Sequence, residues 1–137
     1  MSRGIVSRIF ILAFAASLTA LGCATTTGPP GSVAQIVTFE VAGGARFKVL
    51  VADPKSLDTI TALANSEDAP SIPNGRIVRQ TGVNTGWSWS LDPTDFTFVD
   101  VTDTTCDGTP EEVEAGTFDG DRFCPWSAIV VATEPAP

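Results

Sequence analysis

The 137-residue chain has no histidine and no tyrosine, only three Cys, and 8 Lys plus Arg against 16 Asp plus Glu. Without His the usual near-neutral general base is missing, which excludes Ser-His and Cys-His catalysis together with imidazole metal ligation. Basic residues are scarcer still beyond the hydrophobic leader, because Arg3 and Arg8 precede it. Without that segment 6 basic side chains face 16 acidic ones, so the net charge moves from -8 to -10. A field of that sign repels phosphate backbones, and nucleic acid is not expected as a partner. The length suits one domain, at ~100–200 residues each.

What the chain does have begins with an export pattern. Arg3 and Arg8 are followed by an uncharged run, Ile9 to Leu21, rich in Ile, Leu, Phe and Ala. As a helix this run reaches about 20 Å, short of a hydrocarbon core of about 30 Å, so it reads as a signal peptide rather than a spanning anchor. Thr19-Ala20-Leu21-Gly22-Cys23 resembles the lipobox of bacterial lipoproteins, with Ala20 and Leu21 in swapped order. The expectation is a lipoprotein signal peptide over 1–22, acylation of Cys23, and attachment to the bacterial cell envelope through that lipid. Plain secretion is the alternative. Residues 23–32 are small, polar and rich in Pro and Gly, as a tether between lipid and domain should be. If Cys23 carries lipid, Cys106 and Cys124 remain as an even pair in an oxidising compartment and should form one disulfide. A loop of this size is worth about 3 kcal/mol in the chain-entropy model.

From Val33 to Glu134 the dominant signal is alternation with period two, which predicts a single β-rich domain over 33–134. Val37, Phe39 and Val41 alternate with polar residues, as do Phe47, Val49 and Val51 with Arg46 and Lys48, and Ala42-Gly43-Gly44-Ala45 suits a hairpin turn between them. One helix interrupts, with Asp53 as cap, Pro54 in the first position, Leu57, Ile60 and Ala64 at helical spacing, and Asn65 as terminus. A very short second helix starts at Thr109 and Pro110. Strands are expected again at Arg76 to Gln80, at Trp87 to Leu91 before a turn at Asp92-Pro93-Thr94-Asp95, and from Phe96 to Thr102, where the alternation changes phase. Trp126 to Ala132 is apolar on both parities and reads as a central strand. The fold class predicted is mainly β, an antiparallel sandwich or open barrel with one covering α-helix and one disulfide.

Four segments carry a family resemblance: Pro73-Asn74-Gly75-Arg76-Ile77-Val78, Gly82 through Pro93, Cys106-Asp107-Gly108-Thr109-Pro110 with Val113-Glu114, and Cys124-Pro125-Trp126-Ser127-Ala128. Together they resemble a small domain family found at the N-terminus of a slime-mould calmodulin-binding protein and in short exported bacterial proteins. The likeness runs from about Phe39 to Val131. Trp87 stands where the family often has Tyr, and Ser90 where it often has His, so no role of that His carries over. The resemblance implies a fold and a domain boundary. Calmodulin is not an expected partner, since its targets are basic amphipathic helices and the Pro54 to Asn65 segment has Lys55 and Asp58 without a basic face.

Three constellations are candidates for a site. Asp103, Asp107, Glu111 and Glu114 partly match the spacing of a calcium loop, with Gly108 at its sharp turn, so calcium is the one cofactor the sequence suggests. Thr105 and Pro110 break that template, and an acidic turn capping a short helix is the plainer reading. Ten acids between residues 92 and 121 make a solvated acidic face, with little room in such a domain for a glycosidase cleft. Trp87 and Trp89 share one side of a strand, as core or as a platform for a protein or glycan ligand. Asn84-Thr85-Gly86-Trp87 also resembles, without its Pro, the loop of chagasin-type cysteine protease inhibitors. Asn84 and Thr85 are therefore expected to face outward while Trp89 anchors the turn. Arg76 and Arg79 are expected to pair with nearby acids. The sum is a non-catalytic, envelope-tethered lipoprotein domain acting as a binding or structural module. A secreted protease inhibitor using Gly82 to Trp87, and a weak calcium-binding module, are the alternatives.

Overall fold

Alternating side chains build the first hairpin of the computed structural model, which describes residues 33–137; the leader, Cys23 and the tether lie outside the described residues. In β1 (Gln35–Glu40) and β2 (Arg46–Val51), Val37, Phe39, Phe47, Val49 and Val51 all turn to one side and are buried. The intervening turn needs two positive backbone angles, φ 98° at Gly43 and φ 88° at Gly44, which residues with a Cβ adopt only under strain. The first helix, α1 (Pro54–Ala64), starts where Asp53 accepts the N–H of Ser56 at 2.9 Å and ends at Asn65, burying Leu57 and Ile60.

The chain continues through β3 (Ile72–Val78), β4 (Ser90–Val99), α2 (Pro110–Ala115), β5 (Arg122–Phe123) and β6 (Ile129–Pro135). These strands make two antiparallel three-stranded sheets, ordered β2-β1-β6 and β4-β3-β5. Aromatic contacts join the sheets face to face: Phe39 lies 6.0 Å from Phe98, and Phe47 lies 5.4 Å from Phe123 edge-on. Each such ring buried in place of water is worth about 1.5–3 kcal/mol. The mainly β architecture with a covering helix thus matches the pattern of alternation, and Cys106 and Cys124 are joined, with Cα atoms 5.1 Å apart.

Four local expectations are corrected. Asp92-Pro93-Thr94-Asp95 does not end a strand; it is a bulge inside β4, because the register steps from Gly75↔Phe96 to Ile77↔Leu91, leaving Arg76 opposite four residues. The Asp92 carboxylate takes the N–H and hydroxyl of Thr94 at 2.9 and 2.7 Å, so the turn closes on itself without parting the strands. Second, Trp87 and Trp89 precede β4 instead of lying in it. Third, the strand expected at 76–80 begins earlier, at Ile72, and includes Pro73. Since β5 pairs only with Gly75 and Arg76, the Pro73 end of β3 has a neighbour on one side only, where a residue without an N–H is tolerated. Fourth, β6 is an edge strand; the centre of its sheet is β1.

Candidate functional site

The segment Gly82 to Trp87, expected as a contact surface, does make tight turns, with φ 52° at Gly82 and φ 104° at Gly86. Its side chains point elsewhere. Asn84 is 0% exposed: its Oδ1 accepts the Lys48 N–H at 2.8 Å, and its Nδ2 donates to the Trp89 carbonyl at 2.9 Å. Trp87 donates its indole N–H to the Arg46 carbonyl at 2.8 Å. Lys48 and Arg46 belong to β2, which has β1 on its other side, so the two side chains supply the outer margin of β2 with the partners that a further strand would have provided. The expectation that Asn84 faces outward is therefore overturned. A buried amide with one donor and one acceptor in use is a structural clip.

Trp89 is the expected anchor, fully buried against Phe47 and Phe123. Trp87 is half-buried and tilted against it at 6.2 Å, so the two indoles form part of the core and its border, not an open stacking platform. Thr85 remains exposed at the tip. Ser88 ties the end of the segment to α2, its N–H and hydroxyl both reaching Glu114 Oε2, at 2.9 and 3.0 Å.

The four carboxylates of the calcium reading do not share a centre. Asp103 accepts the Thr105 N–H at 2.9 Å, Asp107 the Trp126 N–H at 2.9 Å, and Glu114 holds Ser88, while Glu111 is exposed on the first turn of α2. Among the described residues no three Asp, Glu or Cys side chains converge as metal ligands. The Gly108 turn instead serves a capping box, in which Thr109 and Glu112 exchange hydrogen bonds. Arg76 pairs with Asp92 and lies 3.5 Å from Asp95, as expected of it, and Arg122 completes the group by binding Asp95 at 3.0 Å. The Thr94 hydroxyl and backbone N–H, and after them Arg76, hold the Asp92 carboxyl below the usual carboxylate range. Arg79 donates to the Val113 carbonyl at 2.7 Å rather than to an acid.

Sequence reasoning misses the other margin of the first sheet. Asp107 and the disulfide fix Cys124-Pro125-Trp126, and from there β6 runs along the sheet's open side with Trp126 45%, Ile129 60% and Val131 38% exposed. Val131 is a bulge residue, since Val130 pairs with Phe39 and Ala132 with Thr38. Between β6 and the end of α1 lies a groove of about 540 Å³, walled by Leu63, Ala64, Ser71 and these apolar side chains. The signal was present in the prolines: Pro125 before the strand and Pro135 within it belong to an edge, where missing N–H donors do no harm.

Comparison with known proteins places this geometry in a family. The family model for the N-terminal domain of a calmodulin-binding protein matches residues 33–137. No curated protein and no solved structure matches the chain.

Proposed function

The chain belongs to the family of that calmodulin-binding protein's N-terminal domain, and from that premise we propose that it is an envelope-tethered lipoprotein whose domain is a non-catalytic binding or structural module. The observation that carries this is the pairing of the cysteines. Cys106 and Cys124 are joined to each other, which fits an oxidising compartment and leaves Cys23, at the end of a lipobox-like sequence, as the remaining cysteine of the three. The absence of His from the sequence, and carboxylates engaged one by one in caps and turns, favour binding over catalysis. The exposed apolar border along β6 favours a surface that meets something outside the domain.

Intact-mass measurement of the mature protein from its own host, with membrane fractionation, tests the tether. Under this reading the mature chain starts at Cys23 and carries acyl mass, and Cys23→Ser moves the protein to the soluble fraction. A mature mass without lipid, or cleavage elsewhere, would falsify it.

A further inference from the structure

The geometry points to the β6 margin as a membrane-contact face, with the surface of the lipid bilayer as its occupant; this rests on the lipid-tether reading above. Five large apolar side chains are exposed among the described residues, and four of them, Val33, Trp126, Ile129 and Val131, lie on β6, just before it or at the chain entry beside its end. That entry is fixed, because the Ala136 N–H donates to the Ala34 carbonyl at 2.8 Å. The domain therefore leaves its tether at one end of the apolar strip. Ten residues, 23–32, reach at most about 35 Å when extended, and the seven residues of β6 span about 23 Å. A lipid on Cys23 thus holds the strip within reach of the headgroups.

Charge selects the same face. From Pro125 to Pro137 the sequence has one ionised side chain, Glu134, and Lys48 pairs with it at 3.3 Å. Glu40, opposite Ile129 in the register, is paired with Arg46 at 2.7 Å. The ten acids between residues 92 and 121 belong instead to β4, α2 and the segments joining them to β5. An anionic or zwitterionic bilayer repels or ignores carboxylates, whereas an indole is favoured at headgroup depth. The contact has no Lys or Arg on the strip, so it is apolar in origin and indifferent to salt. Weak by itself, it is completed by the high local concentration that a short tether imposes.

Because Cys106 and Cys124 are paired, Cys23 can be coupled selectively to a maleimide headgroup, which supplies a tether whether or not the native protein is acylated. The test uses mature chain 23–137 coupled to phosphatidylcholine vesicles with brominated acyl chains. Bromine should quench Trp fluorescence equally at low and high salt. Trp126→Phe, which retains Trp87 and Trp89, should lose most of the quenching, and Ile129→Lys should lower it while Trp126 is still present. Absence of quenching in the coupled wild type, or quenching that survives Trp126→Phe, overturns the proposal. So does sedimentation showing a dimer that shields Trp126 from aqueous iodide with no response to bromine, which would make a second copy the occupant. The native mass answers separately for the lipoprotein reading, since the coupled chain reports on the face in either case.

Discussion

Strands β2 and β6 flank the same central strand, yet the outer backbone of β2 is bonded by Asn84 and Trp87 from the Gly82 to Trp87 segment, whereas β6 borders a groove with Trp126, Ile129 and Val131 exposed. An exposed sheet margin invites pairing with other chains, and proteins blunt it by covering, by bulges, by proline or by charge. The β2 margin is covered with hydrogen bonds along the first half of the strand, at Arg46 and Lys48. The β6 margin relies on a bulge at Val131 and on Pro135, devices that discourage another strand without hiding apolar side chains. The contrast separates two jobs that one edge could not do together: β2 is closed for stability, and β6 is kept smooth and apolar for a surface that is not a strand.

Breaking the covered edge should have the largest effects. Trp89→Ala removes the indole on which the closing segment rests, and should cost about 3–5 kcal/mol, as large aromatic truncations in cores do, read by urea denaturation. Asn84→Ala leaves the Lys48 N–H and the Trp89 carbonyl without partners, for a loss of about 2–4 kcal/mol with one or two unsatisfied buried groups. Hydrogen exchange sharpens that result, because the Lys48 amide should change from protected to fast while the amides of β6 stay as they were. If Asn84→Ala is thermally silent, the β2 margin is not closed in the way described.

The open edge should respond far less. Ile129→Ser removes an apolar side chain that is already 60% exposed, and its stability should stay within about 0.5 kcal/mol of wild type in a thermal scan. A large loss would mean that β6 is packed against something within the domain. The smallest effect concerns neither margin but the bulge of the second sheet, and serves as a control. The Asp92 carboxyl titrates lower in the folded chain than in the unfolded one, so its contribution is fully present above about pH 4 and disappears as the pH falls through the folded value. Asp92→Asn should flatten the acid limb of the stability profile below about pH 4 and leave both margins unchanged at neutral pH.

Much of this architecture was legible residue by residue. The alternation in Val37 to Val51, the Gly43-Gly44 turn, and the Asp53-Pro54 and Thr109-Pro110 helix starts are local signals whose physics acts within a few residues, and each appears where the sequence puts it. The pairing of Cys106 with Cys124 followed from parity. Edge and centre, in contrast, are properties of neighbours. The apolar run after Trp126 has the composition of a central strand, and only the order β2-β1-β6 makes it a border. Likewise Asn84 has the sequence context of an exposed turn, between two glycines, and only the approach of β2 turns its amide inward to the Lys48 N–H and the Trp89 carbonyl. Period, caps and turns are determined by the chain against itself over short distances. Which backbone groups lack partners, and so which side chains must supply them, depends on contacts between residues tens of positions apart, and those exist only once the two sheets have packed.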